Sequence, residues 1–250
     1  MTDSRDHFSP QASEYAAFRP TYPIPFIAHI ASLARQHDLA WDVGTGSGQA
    51  AVLLGEHFSH VHATDASDRQ VQFAKPHSHV RYATAPAEQS GLGDASVDLV
   101  SVAQALHWFA NDAFYGQVNR VLKPDGVIAA WSYDLFHVDA VVDAVVDWFY
   151  RDRVGRYWPA ERRHVETHYT ELPFPFAELA LEEWNIEASR TREQVMGYVS
   201  TWSALRHARD AEQVDPLTEF SVRLREVWTD DAPRLARWPL IVRAGRKTHV

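Results

Sequence analysis

The chain has 250 residues, 46% of them hydrophobic and 23% charged, with a formal net charge of −9. This composition fits a folded globular domain and excludes disordered, collagen-like and low-complexity classes. The negative balance offers no general attraction to nucleic acid or anionic membrane, and the absence of cysteine excludes disulfides, thiolate metal ligation and a cysteine nucleophile.

The opening residues, MTDSRDHFSPQ, lack the basic start and apolar run of a secretory signal, and no stretch reaches the length of a membrane span. The expected location is the cytoplasm. A proline-punctuated stretch, Arg19-Pro20-Thr21-Tyr22-Pro23-Ile24-Pro25, then leads into a helical pattern over Phe26 to Leu33.

From Leu39 short apolar runs alternate with amphipathic segments. LAWDV is followed by a glycine-rich turn and a helix to about Phe58, HVHATD by a helix over Asp68 to Lys75, and then HVRYAT. VDLVSVAQ, a helix from Asn111 to Leu122, a Lys123-Pro124-Asp125-Gly126 turn and VIAAWSY continue the βα rhythm. A sixth strand is expected around Leu181 to Ala188, a helix over Arg192 to Trp202, and a last strand over Trp238 to Lys247.

The expected fold is α/β, a Rossmann-like, doubly wound, mostly parallel seven-stranded sheet with a helical cap insertion. The chain reads as a single domain over 1–250. Its parts are an N-terminal cap segment (1–37), a cofactor-binding core (38–138), a cap insertion (about 139–178) and C-terminal sheet and helix elements (179–250). Asp139, Asp143 and Asp147 recur every four residues and read as the solvated edge of a helix.

The most specific chemical signal is Asp42-Val43-Gly44-Thr45-Gly46-Ser47-Gly48-Gln49, at the end of the first strand and the start of the first helix of the βα rhythm. Glycines there let a ligand approach the backbone amides at a helix N-terminus. A dinucleotide fingerprint, G-x-G-x-x-G, would place its third glycine where Gln49 stands, which disfavours NAD. The D-x-G-x-G-x-G pattern instead resembles motif I of the class I S-adenosylmethionine-dependent methyltransferases.

Several further segments are similar to that family. Asp65 lies about twenty residues beyond the glycines, where a carboxylate accepts the ribose hydroxyls. Ala87-Glu88 resembles the loop that brackets adenine, Gln104-Ala105-Leu106-His107-Trp108-Phe109 the lining of the methyl-donor pocket, and Leu122-Lys123-Pro124-Asp125-Gly126 a structural turn with Asp125 in place of a glycine. The segments around Tyr15 to Pro23, Tyr157-Trp158-Pro159 with Arg162-Arg163, and Tyr198 to Ser203 resemble the methyltransferase type 11, trans-aconitate methyltransferase-like group.

What the resemblance implies is S-adenosylmethionine as cofactor, with Tyr15, Arg19, Asp42, Gly44, Thr45, Gly46, Gly48, Asp65, Ala66, Gln70, Ala87, Glu88, Gln104 and Ala105 as its site. The implied function is methylation of a small-molecule acceptor, with a carboxylate favoured by the arginines; the alternative is a non-catalytic S-adenosylmethionine-binding partner or regulator. Tyr22, His107, Trp108, Arg162, Arg163 and Trp202 are the candidate acceptor-binding residues. No nucleic-acid or membrane partner is expected, and the protein is taken as a monomer or homodimer.

Methyl transfer from a sulfonium needs alignment and exclusion of water more than acid–base help. An ionised carboxylate needs only a cationic clamp, for which Arg151, Arg153, Arg156, Arg162 and Arg163 of the cap are available, although exposed arginines mostly serve solvation. Arg19 is placed toward the methionine carboxylate of the cofactor. His107 is the candidate acid–base residue should the acceptor be a hydroxyl or amine, with shaping of the pocket as its other role. His164 and His168 have zinc-like i, i+4 spacing but no accompanying glutamate pattern, so no metal is expected.

Overall fold

A computed structural model of the protein describes residues 18–248. The elements in chain order are α1 (Ile24–Ser32), β1 (Leu39–Val43), α2 (Gln49–Leu54), β2 (His60–Asp65), α3 (Asp68–Gln72), β3 (Val80–Thr84) and β4 (Val97–Ala103). They continue with α4 (Asp112–Val121), β5 (Leu122–Tyr133), α5 (Ala140–Asp147), α6 (Arg162–Glu166), β6 (Ala177–Glu178), β7 (Trp184–Arg190), α7 (Arg192–Ser200), α8 (Ser203–Glu212), α9 (Leu217–Val227) and β8 (Arg234–Arg246).

The sheet runs β3-β2-β1-β4-β5-β8-β6, with β7 also on β8. The pairs among β1 to β5 are all parallel, and β8 is antiparallel to β5, β6 and β7. The expected seven strands are present, with the two-residue β6 in addition. β1 therefore sits between β2 and β4, where the winding reverses, and the carboxyl ends of these strands form the crevice in which such sheets bind ligands.

Central strands buried on both faces read as unbroken apolar runs. In β5, Val127, Ala129 and Trp131 join the core on one side of the sheet, and Ile128 and Ala130 join the core on the other. In α1 the apolar Phe26, Ile27, Ile30 and Ala31 form the buried stripe. Pro23 caps it and Pro25 lies in its first turn, where a missing N–H costs no intrahelical bond. Thr191 and Gln194 close a capping box on α7.

Boundaries differ from the sequence reading where pairing or caps decide them. The Lys123 to Gly126 turn is a distortion inside β5, because Leu122 already pairs with Val97 and the register shifts before Leu99 pairs with Val127. Asp125 takes the left-handed φ of +62° there and meets Arg35 at 2.7 Å. β7 begins at Trp184, not Leu181, because its ladder runs from Trp184 opposite Leu240 to Arg190 opposite Arg234, which also starts β8 before Trp238. Helices α8 and α9 have no counterpart in the sequence reading.

The Asp139, Asp143, Asp147 stripe is spent on local bonds instead of mere solvation. Asp139 caps α5 by accepting from the N–H groups of Val141 and Val142, and pairs with Arg234 at 2.9 Å. Asp143 accepts from the Val138 N–H, and Asp147 pairs with Arg151 one turn on. These backbone bonds, led by that of Val142, hold the Asp139 carboxyl below its ordinary pKa.

Candidate active site

The glycine loop leaves the carboxyl end of β1 with Gly44, Gly46 and Gly48 at φ of +65°, +55° and +79°, a backbone that strongly favours glycine. Asp42 is fully buried beneath it. Its carboxylate accepts from Thr45 Oγ1 at 2.6 Å and Ser101 Oγ at 2.7 Å, yet burial outweighs both bonds and raises its pKa to about 6. Asp42 is thus an internal fastener of the loop to β1 and β4, with no open face for a ligand.

Asp65 ends β2 beside the loop. Its Oδ2 accepts from the Gly46 N–H at 2.9 Å and its Oδ1 from the Ser67 N–H at 2.8 Å, while each carboxylate oxygen retains a further lone pair. A Cβ built on Gly46 would meet nothing within 4 Å, so the backbone there borders open space. A Cβ on Gly44 would lie 2.7 Å from that of Ala105, which shows how closely the loop and the segment after β4 approach. These features fit a nucleoside-bearing cofactor, with backbone accessible at the loop and a carboxylate for hydroxyls.

Ala66 is exposed next to Asp65, and Gln70 is partly buried in α3 with its N–H toward the Ser67 hydroxyl. Ala87 is buried after β3, and Glu88 accepts from Asn111 Nδ2 at 3.2 Å. Tyr15 lies outside the described residues. Loop, β2 end and β4 end converge on one edge of the sheet.

Beside them lies a pocket of about 90 Å³ lined by Arg19, Gln104, His107, Trp108, Tyr150 and Arg162, together with Leu135, Trp158, Pro159, Tyr198, Trp202 and Ser203. Among the described residues two arginines and no carboxylate line it. Arg162 donates through Nε to the Tyr150 hydroxyl at 2.8 Å, and its guanidinium lies over the rings of Tyr150 and Trp158 at 5.5 and 5.2 Å. The Tyr150 hydroxyl in turn donates to Glu166 at 2.6 Å. Among the described residues no carboxylate ion-pairs with Arg162; Asp134 acts on it only at longer range. Arg19 donates to the Tyr133 hydroxyl at 2.6 Å and lies over the Tyr198 ring, so it joins pocket and core.

The other cap arginines are spent elsewhere. Arg153 holds Glu212 and Glu219 at 2.7 and 2.9 Å, Arg156 also meets Glu212, and Arg151 has Asp147. Arg163, expected beside Arg162, points to solvent and pairs with Glu171 at 2.8 Å, because adjacent helical residues face about 100° apart. Tyr22, expected at the acceptor, is buried in the core, edge-on to Trp131 at 5.7 Å. Trp202 lines the pocket while packed against Tyr150 and Trp158, both at 5.6 Å.

His107 places Nδ1 3.2 Å from the Tyr169 hydroxyl and its ring 4.9 Å from that of Trp108. Burial, with the positive charge of Arg162 and His164, drives its pKa down to about 3. The imidazole is therefore uncharged at neutral pH, with one ring nitrogen an N–H donor and the other an acceptor. Tyr150, which lines the pocket, and the fully buried Tyr169 behind His107 were not singled out by sequence reasoning, because the partners that place them lie elsewhere in the chain. Among the described residues no cluster of three or more histidine or acidic side chains is placed to hold a metal ion, and no helix is long and apolar enough to cross a membrane.

The methyltransferase domain family matches residues 41–130, the span from the first strand to the middle of β5. A Dictyostelium discoideum protein named as a methyltransferase is 33% identical over 227 residues, covering 89% of this chain and 86% of its own. The solved structure of a protein named as a type II methyltransferase, from Anaeromyxobacter dehalogenans, is 44% identical with a TM-score of 0.88, covering 93% of this chain and 100% of that one. The phosphoethanolamine N-methyltransferase 2 of Haemonchus contortus, solved with S-adenosyl-L-methionine, shares the fold at 16% identity and a TM-score of 0.51, over 100% of this chain and 61% of its own. None of these matches singles out the trans-aconitate-like group. The chain belongs to the class I S-adenosylmethionine-dependent methyltransferases, and S-adenosylmethionine is its cofactor.

Proposed function

We propose that the protein methylates a small carboxylic acid whose carboxylate is held by Arg162. The observation that carries this reading is a partly buried guanidinium, lying over two packed aromatic rings, that among the described residues lines a pocket without a carboxylate and has no ion-pair partner. A cation so enclosed is poorly solvated, and an anionic ligand restores the missing charge balance through bidentate hydrogen bonds. Tyr150 and Glu166 fix its Nε side, which leaves the terminal nitrogens for the ligand.

In this reading Gly44, Thr45, Gly46 and Gly48 cradle the cofactor, Asp65 takes its ribose hydroxyls, and Ala66, Gln70, Ala87, Glu88, Ala105 and Arg19 border it. When bound, S-adenosylmethionine supplies a methyl group activated by a sulfonium. The protein's work is then to orient the acceptor oxygen and exclude water, which the walls of Trp108, Trp158 and Trp202 favour. An ionised carboxylate needs no base, consistent with an uncharged His107 acting in shape and hydrogen bonding. The same reading takes the protein as cytoplasmic, a monomer or homodimer, and without a nucleic-acid partner.

The test is transfer of labelled methyl to a panel of small carboxylic acids and their primary amides. Acids should accept and amides fail, and Arg162→Leu should lower kcat/KM by tenfold or more, since a charge-assisted bond is worth about 1.5–3 kcal/mol. Equal use of amides, or indifference to Arg162→Leu, would reject the reading.

A further inference from the structure

Gln104 combines an unusual backbone with an unspent hydrogen-bonding group. It directly follows β4 with φ of +60°, a conformation disfavoured for any residue with a Cβ. Its backbone N–H donates to the Trp131 carbonyl at 2.8 Å, and its side-chain amide oxygen accepts from Ser132 Oγ at 3.0 Å. The first bond holds the backbone and the second the side-chain amide, whose buried Nε2 is left without a partner among the described residues. Strained backbone and an orphaned buried donor in one pocket-lining residue point to a ligand atom that completes the set.

Three residues on, His107 supplies the complement. Its Nδ1 faces the Tyr169 hydroxyl, and its Nε2 has no hydrogen bond among the described residues. Carrying no charge, the ring offers its free nitrogen to a neutral polar group. A hydroxyl accepts from an amide N–H and donates to an imidazole nitrogen at once.

We propose that Gln104 and His107 form a second subsite that recognises a hydroxyl on the acceptor, making the substrate class a small hydroxy acid. This rests on the reading of Arg162 as the carboxylate clamp. A site built around a hydroxyl rejects the analogue lacking it, because its own polar groups are then left unpaired. The carboxylate sets the class, and Gln104 with His107 select within it.

The experiment is calorimetric titration of the protein saturated with S-adenosylhomocysteine, using butanoate and hexanoate, each paired with its 2-hydroxy and 3-hydroxy counterparts. The expected result is at least one hydroxy acid bound about tenfold or more tightly than its parent, with the preference lost in Gln104→Met and in His107→Phe while affinity for S-adenosylhomocysteine is kept. Equal binding of hydroxy and parent acids, with both sensitive to Arg162→Leu, overturns this inference alone. Loss of S-adenosylhomocysteine affinity in Gln104→Met also overturns it, by assigning the amide to the cofactor. No binding of any acid, or binding indifferent to Arg162→Leu, brings down the carboxylate reading and this inference with it.

Discussion

Ser101 Oγ on β4 donates to Asp42 Oδ1 on β1 at 2.7 Å, inside a region from which solvent is excluded. The folded-state pKa of Asp42, about 6, lies above its ordinary 3.8, so between these values the native state holds more protons than the unfolded one. Stability contributed by this group therefore falls as pH rises through that window and levels off above it. Asp42→Asn removes the titration. The melting temperature of the variant relative to the parent should climb from pH 4 to pH 6, with a limit of about 3 kcal/mol for the two-unit shift. A difference independent of pH over that range would contradict the buried carboxylate.

Gly44 and Gly46 should respond differently to alanine. At Gly44 the left-handed φ and a Cβ 2.7 Å from that of Ala105 together should cost about 2–4 kcal/mol in stability. At Gly46 the φ is similarly left-handed but the space is open, so the stability loss should be about 1 kcal/mol. Affinity for S-adenosylhomocysteine should nonetheless fall tenfold or more in Gly46→Ala. Denaturant titration and calorimetry on both variants separate the two effects, and unchanged affinity in Gly46→Ala would remove that backbone from the cofactor site.

Asp98 is a structural anchor away from this chemistry. Its Oδ2 accepts from the N–H groups of Asp38 and Leu39 at 3.0 and 2.9 Å, and its Oδ1 pairs with Lys123 at 2.8 Å. These bonds hold the entry to β1; burial, the largest single effect, lowers the pKa of Lys123, but Asp98 and Asp38 together outweigh it and leave the group raised. Asp98→Ala leaves two backbone donors unmet and should cost about 2–4 kcal/mol in urea unfolding, with cofactor affinity retained. A loss below about 0.5 kcal/mol would show the anchor to be dispensable.

The uncharged state of His107 sets a pH expectation. With its pKa near 3, the ring does not titrate between pH 5.5 and 8.5, so kcat/KM should show no limb from it there. His107→Asn should lower activity without changing the shape of the profile. A limb with midpoint near 6.5 that vanishes in the variant would restore His107 as an acid–base residue.

The cofactor loop was legible because its backbone demands a residue type: glycine at three left-handed positions and an acid at the end of β2 leave a pattern in the text. The pocket was legible only in part. Whether an arginine meets an acceptor depends on partners far along the chain, such as Glu212 of α8 for Arg153 and Arg156, and spacing does not encode that choice. Arg162 and Arg163 are neighbours in sequence with opposite fates, and Tyr22 reads as a pocket aromatic but packs on Trp131. Gln104 sat in a recognisable segment, yet its left-handed backbone and orphaned amide are visible only in three dimensions.

The most direct test of the account is calorimetric titration of S-adenosylmethionine and S-adenosylhomocysteine into the parent protein, Asp65→Ala and Arg162→Leu. The account predicts binding of both compounds by the parent, loss of tenfold or more in Asp65→Ala, and undiminished binding in Arg162→Leu, which belongs to the acceptor. Cofactor binding indifferent to Asp65, or lost with Arg162, would contradict it.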